Sequence, residues 1–573
     1  MFWKFDLHTS SHLEALLDRE DVTLTELMDE EDILQECKAQ NRRLLLLLCQ
    51  DQCMQEMVRL ITTEPPAGVE EIKRFKYPNI ACELLTCDVG VINDKLGNEE
   101  PLLETLYAFL EQPSPLNPLL ASFFSKTIGN LITRKTEQVI NFLRRKDGFL
   151  SLVLKHIDTS AMMDVLLRLI SCVEPPPLRL ETLTWLNEEK LAQRLIELIH
   201  PKRDEERQSN ASQTLCDIIR LSRDQANQLQ EISQPDPLLT VLESQECVEQ
   251  LLQNMFSGER TESCIVNGIQ VLLTLLEIRR PPFMKHSLSY TVNSSILLAI
   301  QPHLTHFHQL LLEPPKRSPM LTTLGVLEEP LGNTRLHVAR LVASLLYTSS
   351  ASHAVVAQEL CRLSTMDLLL ELFFKYTWNN FLHLQVELCV AAILRPCAHE
   401  MRLQPVFVIV SPKLFQHCHL VQRILAAWEE NDKIQSEGGM RRGYMGHLTR
   451  IANTVVHNLE KGPVHTQISS LITELPEDYR GRWETFVDQT LSETNRKNTI
   501  DLVNAVMATC MSIYWEYLCI PCTLKLSMCS LQANTAVFEA CSKERIQPFD
   551  DDEEDIWEEK EFTYAAQTKS RNR

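Results

Sequence analysis

The dominant pattern in this sequence is a helical period of apolar residues that returns along most of the chain. In the stretch ASQTLCDIIRLS, one helical face carries Ala211, Leu215, Ile218 and Ile219. The stretches RLHVARLVASLL and HLTRIANTVVHNL repeat the i, i+3, i+4, i+7 spacing, which is typical of amphipathic helices. Similar helices are predicted to begin near four other residues: Ala121, Met163, Ile265 and Leu384. The pattern therefore predicts a largely helical chain.

The spacing of these helices indicates a repeat architecture. Successive helices begin about 42 to 70 residues apart, and the shorter intervals are close to the roughly 40–47-residue period of HEAT and armadillo repeats. Proline removes an amide donor and ends helices, so prolines between the segments are expected at corners. These prolines are Pro65 and Pro66, those in 113–118 and 175–177, Pro281 and Pro282, and Pro314 and Pro315. We predict an all-α fold, an α-solenoid of divergent HEAT/armadillo-like repeats built from stacked helix pairs.

Composition supports a helical protein and narrows its partners. The chain of 573 residues contains only 15 glycines. Folds rich in strands and tight turns need more glycine than this, so the low content favours helices. A net charge of -21 argues against nucleic acid as the main partner. The 18 cysteines lie within apolar helical sequence, which is typical of a reducing compartment. Acidic residues near the start argue against a signal peptide. We expect a cytoplasmic location, with the nucleus as an alternative.

Motifs of known enzymes and cofactor sites are missing from the sequence. It contains no H-E-x-x-H, no G-x-S-x-G, no G-x-G-x-x-G after a strand, and no EF-hand spacing. Histidines and cysteines do cluster at three places: His303, His306 and His308; His417 and His419; and Cys519 and Cys522. Because no matching ligands follow at zinc-site spacing, we interpret them as ordinary side chains. We therefore expect no enzyme activity, no cofactor and no metal.

Glycines and arginines are concentrated in the stretch EGGMRRGYMGHLTRIANTVVHNLEKGP, residues 437–463. A nucleotide-phosphate loop would follow a strand and continue into Lys and Ser or Thr, and neither feature is present here. We favour a structural joint or a protein-docking loop. A small-anion site remains the alternative, because Arg441, Arg442 and Arg450 could hold a carboxylate or a phosphate.

Two carboxyl-terminal segments have unusual composition. The segment 505–524 is long and apolar enough to consider as a membrane span. Glu516 lies near its centre, however, and inserting a central acidic residue into a bilayer costs about 2.5–3.5 kcal/mol. We therefore expect no span. The tail holds nine acidic residues between Asp550 and Glu561, interrupted by Ile556 and Trp557. It suits either a linear docking motif or a solvated tail.

Long strings of the sequence resemble the SAPS-domain family of regulatory subunits of protein phosphatase 6. They are MFWKFDLHTSSHLEALLDREDVTLTELMDEEDILQECKAQNRRLLLLL, FKYPNIACELLTCDV, FFSKTIGNLITRKTEQVINFL, MRRGYMGHLTRIAN, GRWETFV and ETNRKNTIDLV. The similarity runs from Met1 to about Val503 and is greatest to the first of three vertebrate paralogues. It implies a non-catalytic subunit that binds the phosphatase 6 catalytic subunit, bridges to ankyrin-repeat subunits and directs substrate choice.

Departures from the family pattern define the expected domain organisation. Tyr444 stands where the family pattern has Asn, and residues 401–415 read less like the family than their flanks. After Val503 an acidic region is expected, but the chain continues with unfamiliar apolar sequence before a family-like tail. We predict a helical-repeat domain over 1–503, an atypical segment over 504–531 that suggests an alternatively spliced or mis-joined product, and a disordered acidic tail over 532–573.

The resemblance and the predicted helices suggest where a partner docks. Ten residues are candidate contacts: Cys82, Glu83, Asp88, Lys126, Asn130, Arg134, Arg441, Arg442, His447 and Arg450. A rival interpretation is a transport or trafficking adaptor of the HEAT/armadillo type, which would bind cargo peptides instead of a phosphatase. A hidden enzyme is the third hypothesis.

Overall fold

The computed structural model describes most of the chain up to residue 498. The described residues are 12–19, 21–66, 68, 74–228, 235–277, 293–323, 325–348, 353–394, 405–460 and 465–498. The predicted segments 504–531 and 532–573 lie outside this part of the chain, as do Cys519, Cys522 and the apolar stretch 505–524. The predicted domain boundary after residue 503 also lies outside it and stays a prediction.

Helices make up nearly all of the regular structure that is described, which confirms the all-α prediction. Their bounds are α1 His12–Leu17, α2 Leu24–Met28, α3 Ile33–Lys38, α4 Arg42–Leu48, α5 Asp51–Thr62, α6 Lys76–Leu85, α7 Gly90–Asn98, α8 Glu100–Tyr107, α9 Pro118–Arg134, α10 Thr136–Arg144, α11 Phe149–Lys155, α12 Ser160–Ser171, α13 Pro176–Glu188, α14 Leu191–Leu198, α15 Glu205–Gln228, α16 Pro237–Leu242, α17 Gln245–Phe256, α18 Glu262–Leu276, α19 Ser294–Ile300, α20 Leu304–Leu312, α21 Gly332–Tyr347, α22 His353–Arg362, α23 Thr365–Lys375, α24 Asn380–Ile393, α25 Pro405–Pro412, α26 Leu420–Ser436, α27 Met445–Glu460, α28 His465–Thr473 and α29 Glu477–Thr485.

One exception to the helical architecture is a short antiparallel hairpin between α20 and α21. Its strands are β1, Met320–Thr322, and β2, Gly325–Leu327, with Thr322 paired to Gly325. Gly325 has a φ of 114°, a conformation that favours glycine at this tight connection. The side chains of the two strands are mostly exposed, so the hairpin adds little to the core.

Packing divides the chain into two units, Met1–Ile472 and Thr473–Arg573. The first unit contains the repeat architecture. In the described part of the second, α29 continues into a π-helical segment, Phe486–Leu491. There the rings of Trp483 and Phe486 pack with their centroids 5.5 Å apart and are buried.

Seven helices form a continuous row in the first unit. Each member packs beside the next, in the order α9, α12, α15, α18, α21, α24 and α27. We call this set the central row. The apolar periodicity predicted all seven members. On α15 the predicted face is buried, since the side chains of Ala211, Leu215, Ile218 and Ile219 have no exposed surface. Burial of these faces against neighbouring repeats supplies the main stabilisation of such a stack.

The repeat unit differs from the predicted helix pair. Two further helices lie between each member of the central row and the next, so each step comprises three helices, as in armadillo repeats. Residues in the left-handed conformation precede the third helix in four of the steps: Gly148, Lys190, Ser364 and His419, with φ between 52° and 81°. Only one of them is a glycine, so the sequence carries no clear signal that splits these segments into two helices.

Several prolines begin helices rather than end them. Asn117 and Asp236 each precede a proline. Their side-chain oxygens accept hydrogen bonds, at 2.8–3.2 Å, from the backbone amides of the two residues that follow that proline. Pro118, Pro237 and Pro176 occupy the first helical position, where the missing amide hydrogen costs nothing. The prolines therefore do mark corners, but often as the start of the following helix.

Candidate partner-binding surfaces

The first group of candidate residues forms a ladder of contacts between α9 and the segment that holds α6 and α7. Lys126 Nζ donates to the carboxylate of Glu83, and Arg134 donates to Asp88 at 2.6 Å. These charged side chains are all exposed or half-exposed. Exposed ion pairs of this kind contribute about 0–1 kcal/mol each. A partner could therefore replace them at little cost, and we call this group the amino-terminal surface.

Two members of this group lie deeper. Asn130 Nδ2 donates to Asn93 Oδ1 at 2.9 Å, which fixes the polar edge where α9 meets α7. Cys82 is only 1% exposed, and burial raises the pKa of its thiol to about 11. Its position in the helical period places it between α6 and α9, with its Sγ 3.9 Å from the carbonyl oxygen of Phe123. The prediction that Cys82 contacts a partner directly is therefore corrected, because its side chain packs inside.

The glycine-rich stretch begins with a helix cap. Gly438 has a φ of 84°, its amide donates to the carbonyl oxygen of Gln435, and the amide of Gly439 donates to that of Ile434 at 2.8 Å. These two bonds form a Schellman motif, which satisfies the free carbonyls at the end of α26. The first two glycines therefore serve a structural joint and do not surround an anion.

The remainder of the loop is anchored to the core at two points. The side-chain oxygen of buried Asn431 accepts a hydrogen bond from the amide of Arg442 at 3.0 Å. Tyr444 is buried, and its ring centroid lies 5.6 Å from that of Phe373 and 6.0 Å from that of His383. The aromatic residue that departs from the family pattern thus fills a site between α23 and α24, and burial raises the pKa of its hydroxyl.

Gly443 is required by the close approach of the loop to the end of α23. A Cβ atom there would lie 2.6 Å from the carbonyl oxygen of Thr377 and 2.8 Å from the ring of Trp378. We expect Gly443→Ala to lower the free energy of unfolding by about 1–3 kcal/mol, because the backbone of the loop must move to make room for the added methyl group. Gly446→Ala is the matched control: it lies in α27 with open space around it, and we expect it to stabilise by about 0.5–1 kcal/mol. Urea unfolding of both variants measures the difference, and equal midpoints would contradict it.

The basic residues of the loop differ in whether they form ion pairs within the chain. Arg442 pairs with Glu430 at 3.1 Å. Glu387 on α24 holds two groups, with His447 Nδ1 at 2.6 Å and the Arg450 guanidinium at 3.6 Å. Arg441 is exposed and has no hydrogen bond or ion pair among the described contacts. Protein carboxylates already lie where a small anion would bind Arg442 and Arg450, so the geometry argues against a small-anion site at these two arginines.

A shallow cleft of about 240 Å³ lies beside this loop. It is lined by the following residues: Phe374, Thr377, Arg423, Ala426, Ala427, Glu430, Arg442 and Tyr444. Both arginines are engaged, Arg423 with Asp367 at 2.6 Å and Arg442 with Glu430. Small-molecule sites usually occupy about 300–1,000 Å³ and have unpaired polar groups, so this cleft does not have the features of an active site.

A strip of exposed apolar residues on α24 was missed by the sequence analysis. It consists of Trp378, just before the helix, with Phe381, Leu384 and Leu388, and we call it the α24 strip. The sequence contains a signal for it, because α24 is apolar on both faces. If α24 were an ordinary amphipathic helix, positions 381, 384 and 388 would hold polar residues. The strip borders the loop, since Gly443 lies against the ring of Trp378.

Metal and membrane chemistry can be examined over the described residues. No group of three or more His, Cys, Asp or Glu side chains suited to a metal ion is found among them. The ring of His303 stacks on Phe256 and that of His306 packs against it at a tilt, and burial lowers the pKa of both imidazoles. Within the same part of the chain, none of the helices has the length and apolar character needed to cross a bilayer.

The stack of three-helix repeats places the chain among helical-repeat proteins, a class that offers extended surfaces for protein partners. The family model described as SAPS, SIT4 phosphatase-associated protein, matches residues 128–356 and 354–500. The chain belongs to this family.

Three relatives cover much of the chain. It is 57% identical to serine/threonine-protein phosphatase 6 regulatory subunit 2 of Homo sapiens, over 100% of this chain and 68% of that protein. Regulatory subunit 1 of Mus musculus is 56% identical over 88% of this chain and 61% of its own length. Regulatory subunit 3-B of Xenopus laevis is 50% identical over 100% of this chain and 73% of its own length. Identity to subunits 1 and 2 differs by one percentage point, so it does not single out the first paralogue.

Proposed function

We propose that this chain is a non-catalytic regulatory subunit that binds the catalytic subunit of protein phosphatase 6. The observation that carries the proposal is the similarity of the chain along its length to relatives named as regulatory subunits of that phosphatase. The described architecture supports the proposal, because a stack of helical repeats offers an extended surface to a protein partner.

The finer part of the proposal concerns what binding achieves. We infer that the subunit directs the choice of substrates and bridges to ankyrin-repeat subunits, in the cytoplasm, with the nucleus as an alternative location. A specific interface buries about 1,600 Å² in total, or some 800 Å² on each partner. The amino-terminal surface and the Arg441 loop lie far apart in the order of repeats, at α9 and before α27. Two separate docking surfaces would allow two partners to bind together.

Reconstitution from purified proteins tests the proposal. The chain and the phosphatase 6 catalytic subunit are expected to elute together from a size-exclusion column as a stoichiometric complex. The chain alone, re-purified after metal chelation, is expected to hydrolyse neither a phosphopeptide nor a nucleotide. Separate elution at micromolar concentrations, or turnover by the chain alone, would reject the proposal. Affinity capture of nuclear transport factors or coat proteins in place of a phosphatase would favour the adaptor hypothesis.

Arg441 gives the sharpest probe of the loop. Because its guanidinium has no described partner in the chain, we expect Arg441→Glu to weaken capture of the catalytic subunit at least threefold without changing stability. Double reversal at Arg441 and Arg442 is expected to have a larger effect, but it also breaks the pair between Arg442 and Glu430. Arg42→Glu, at an exposed arginine of α4 that likewise has no described ion pair, is the matched control. Unchanged capture by Arg441→Glu would remove the loop from the proposed interface.

A further inference from the structure

The α24 strip stands out from the central row because its exposed residues are large and apolar. The exposed fractions of Trp378, Phe381, Leu384 and Leu388 are 47%, 73%, 38% and 45%. Phe381, Leu384 and Leu388 are three and four residues apart, so they share one face of the helix. Over the central turns of other row helices the exposed side chains are polar, as with Lys126 on α9, Gln213 on α15 and Arg450 on α27.

The strip is too extensive to be an ordinary scattering of surface apolar residues. Single exposed leucines are common, whereas contiguous apolar patches mark interaction surfaces. A buried aromatic side chain removes about 150–250 Å² from water, so covering the exposed 73% of Phe381 would remove on the order of 100–180 Å². With its three neighbours, Phe381 can form the apolar centre of a standard interface, which a polar rim surrounds.

The rim of the strip is basic although the chain as a whole carries a net charge of -21. Arg450 on α27 is 67% exposed, and Arg441 is exposed in the loop that touches Trp378. On the other side, α21 presents half-exposed Arg340, hydrogen-bonded to His337 at 3.2 Å. The carboxylate of Glu387 is the acidic group on α24 itself, and His447 and Arg450 already engage it. An occupant with carboxylates beside an apolar ridge would therefore complement the strip.

We propose that the α24 strip is the docking surface for the phosphatase catalytic subunit, through a segment that presents apolar residues flanked by carboxylates. This inference rests on the proposed function and names the surface that performs it. The strip lies within residues 354–500, a part of the chain that the phosphatase-associated family model matches. A surface for the partner shared by the family belongs in such a segment, whereas Glu83, Asp88 and Lys126 precede the matched residues.

Binding measurements with purified proteins test this surface. The probe is the phosphatase 6 catalytic subunit, titrated against the immobilised full chain. Phe381→Glu and Leu388→Glu are each expected to weaken binding at least tenfold, and the double variant at least a hundredfold. Phe381→Ser is expected to weaken it without adding a charge, and Arg450→Glu to weaken it and to reduce its dependence on salt. Leu46→Glu and Leu321→Glu place the same charge at exposed apolar positions elsewhere and are expected to bind as wild type.

The outcomes separate this inference from the proposed function. If the wild-type chain does not bind the catalytic subunit, the proposed function fails. If wild type binds and the Phe381 and Leu388 variants bind equally well, the inference is overturned while the function stands. It is also overturned if these variants keep the catalytic subunit but lose a purified ankyrin-repeat subunit, or if light scattering shows that they merely convert a dimer of this chain to monomer. Circular dichroism melting of each variant checks that the fold is intact.

Discussion

Replacing Arg335 with methionine is expected to lower the free energy of unfolding of the repeat stack by about 2–4 kcal/mol. Arg335 lies on α21, is 2% exposed and is among the largest fully buried side chains described. Its guanidinium donates to the carbonyl oxygens of Leu331 and Pro330 at 2.8 Å and to the hydroxyl of Tyr376 at 2.6 Å. It also lies 3.1 Å from the carboxylate of Glu329.

The expected loss has a definite physical origin. Methionine fills a similar volume but donates no hydrogen bond, so carbonyl and hydroxyl oxygens lose their partner inside the protein. Glu329 is largely exposed and can be hydrated, so it adds little to the loss. The buried arginine thus ties the start of α21 to the end of α23 through Tyr376.

Urea unfolding followed by circular dichroism measures this effect. Arg340→Met is the matched control, because Arg340 lies on the same helix but is half-exposed, and its described bond is to His337 alone. We expect it to change the free energy of unfolding by less than about 1 kcal/mol. Equal unfolding midpoints for the two variants would show that the buried hydrogen bonds of Arg335 do not hold these repeats together.

The second large effect is a loss of stability in mild acid that depends on His383. The imidazole is fully buried on α24, and burial lowers its pKa from 6.5 to about 4. Its Nε2 lies 2.9 Å from the carbonyl oxygen of Tyr376 and 3.2 Å from that of Phe373, so the neutral ring donates from this nitrogen. Nδ1 is buried with no hydrogen-bond partner in the protein, and a proton added there would place a charge among Phe373 and Tyr444.

The direction of the pH effect follows from the lowered pKa. Below pH 6.5 the unfolded chain binds a proton at His383 that the folded chain does not, so stability falls as the pH falls. The loss begins near pH 6.5, ends near pH 4, and amounts to about 3 kcal/mol for a difference of this size at 1.36 kcal/mol per pKa unit. Above pH 6.5 both states are neutral at this position and the contribution is constant.

Comparing His383→Gln with wild type isolates this contribution from those of other buried histidines. We expect the unfolding free energy of the variant to fall less steeply between pH 6.5 and pH 4, although the variant is less stable at neutral pH. His457→Gln, at an exposed histidine of α27, serves as the control and is expected to keep the wild-type pH dependence. Parallel curves for wild type and His383→Gln would mean that His383 does not titrate in this range.

Much of the fold could be predicted because the central row depends on local periodicity. The residues of α15 and α21 that recur every three or four positions are buried, since one face of each helix packs on its neighbours. The division of the intervening segments into two helices could not be predicted. It depends on left-handed backbone at residues such as Lys190, Ser364 and His419, which the tertiary packing imposes against their local preference.

The candidate partner-binding residues remain predictions, but the structure shows which of them are exposed. The resemblance to the family indicated Lys126, Arg134 and the Arg441 loop, and the structure places these residues at exposed or half-exposed positions. It could not indicate that Glu83 and Asp88 pair with the first two, because those pairs join residues more than 40 positions apart. The apolar residues on both faces of α24 are a signal for the α24 strip, but the sequence alone does not distinguish an exposed apolar face from a second buried one.

The sequence by itself determined the helical class, the seven helices of the central row and the membership in a phosphatase-associated family, because these depend on short-range spacing and on the identity of residues. Only the tertiary structure decided which apolar residues face water, which charges are paired and where three helices replace two. Those properties depend on which distant segments pack against each other, as Phe381 illustrates: it has the chemistry of a core residue, yet no neighbouring helix among the described residues covers it.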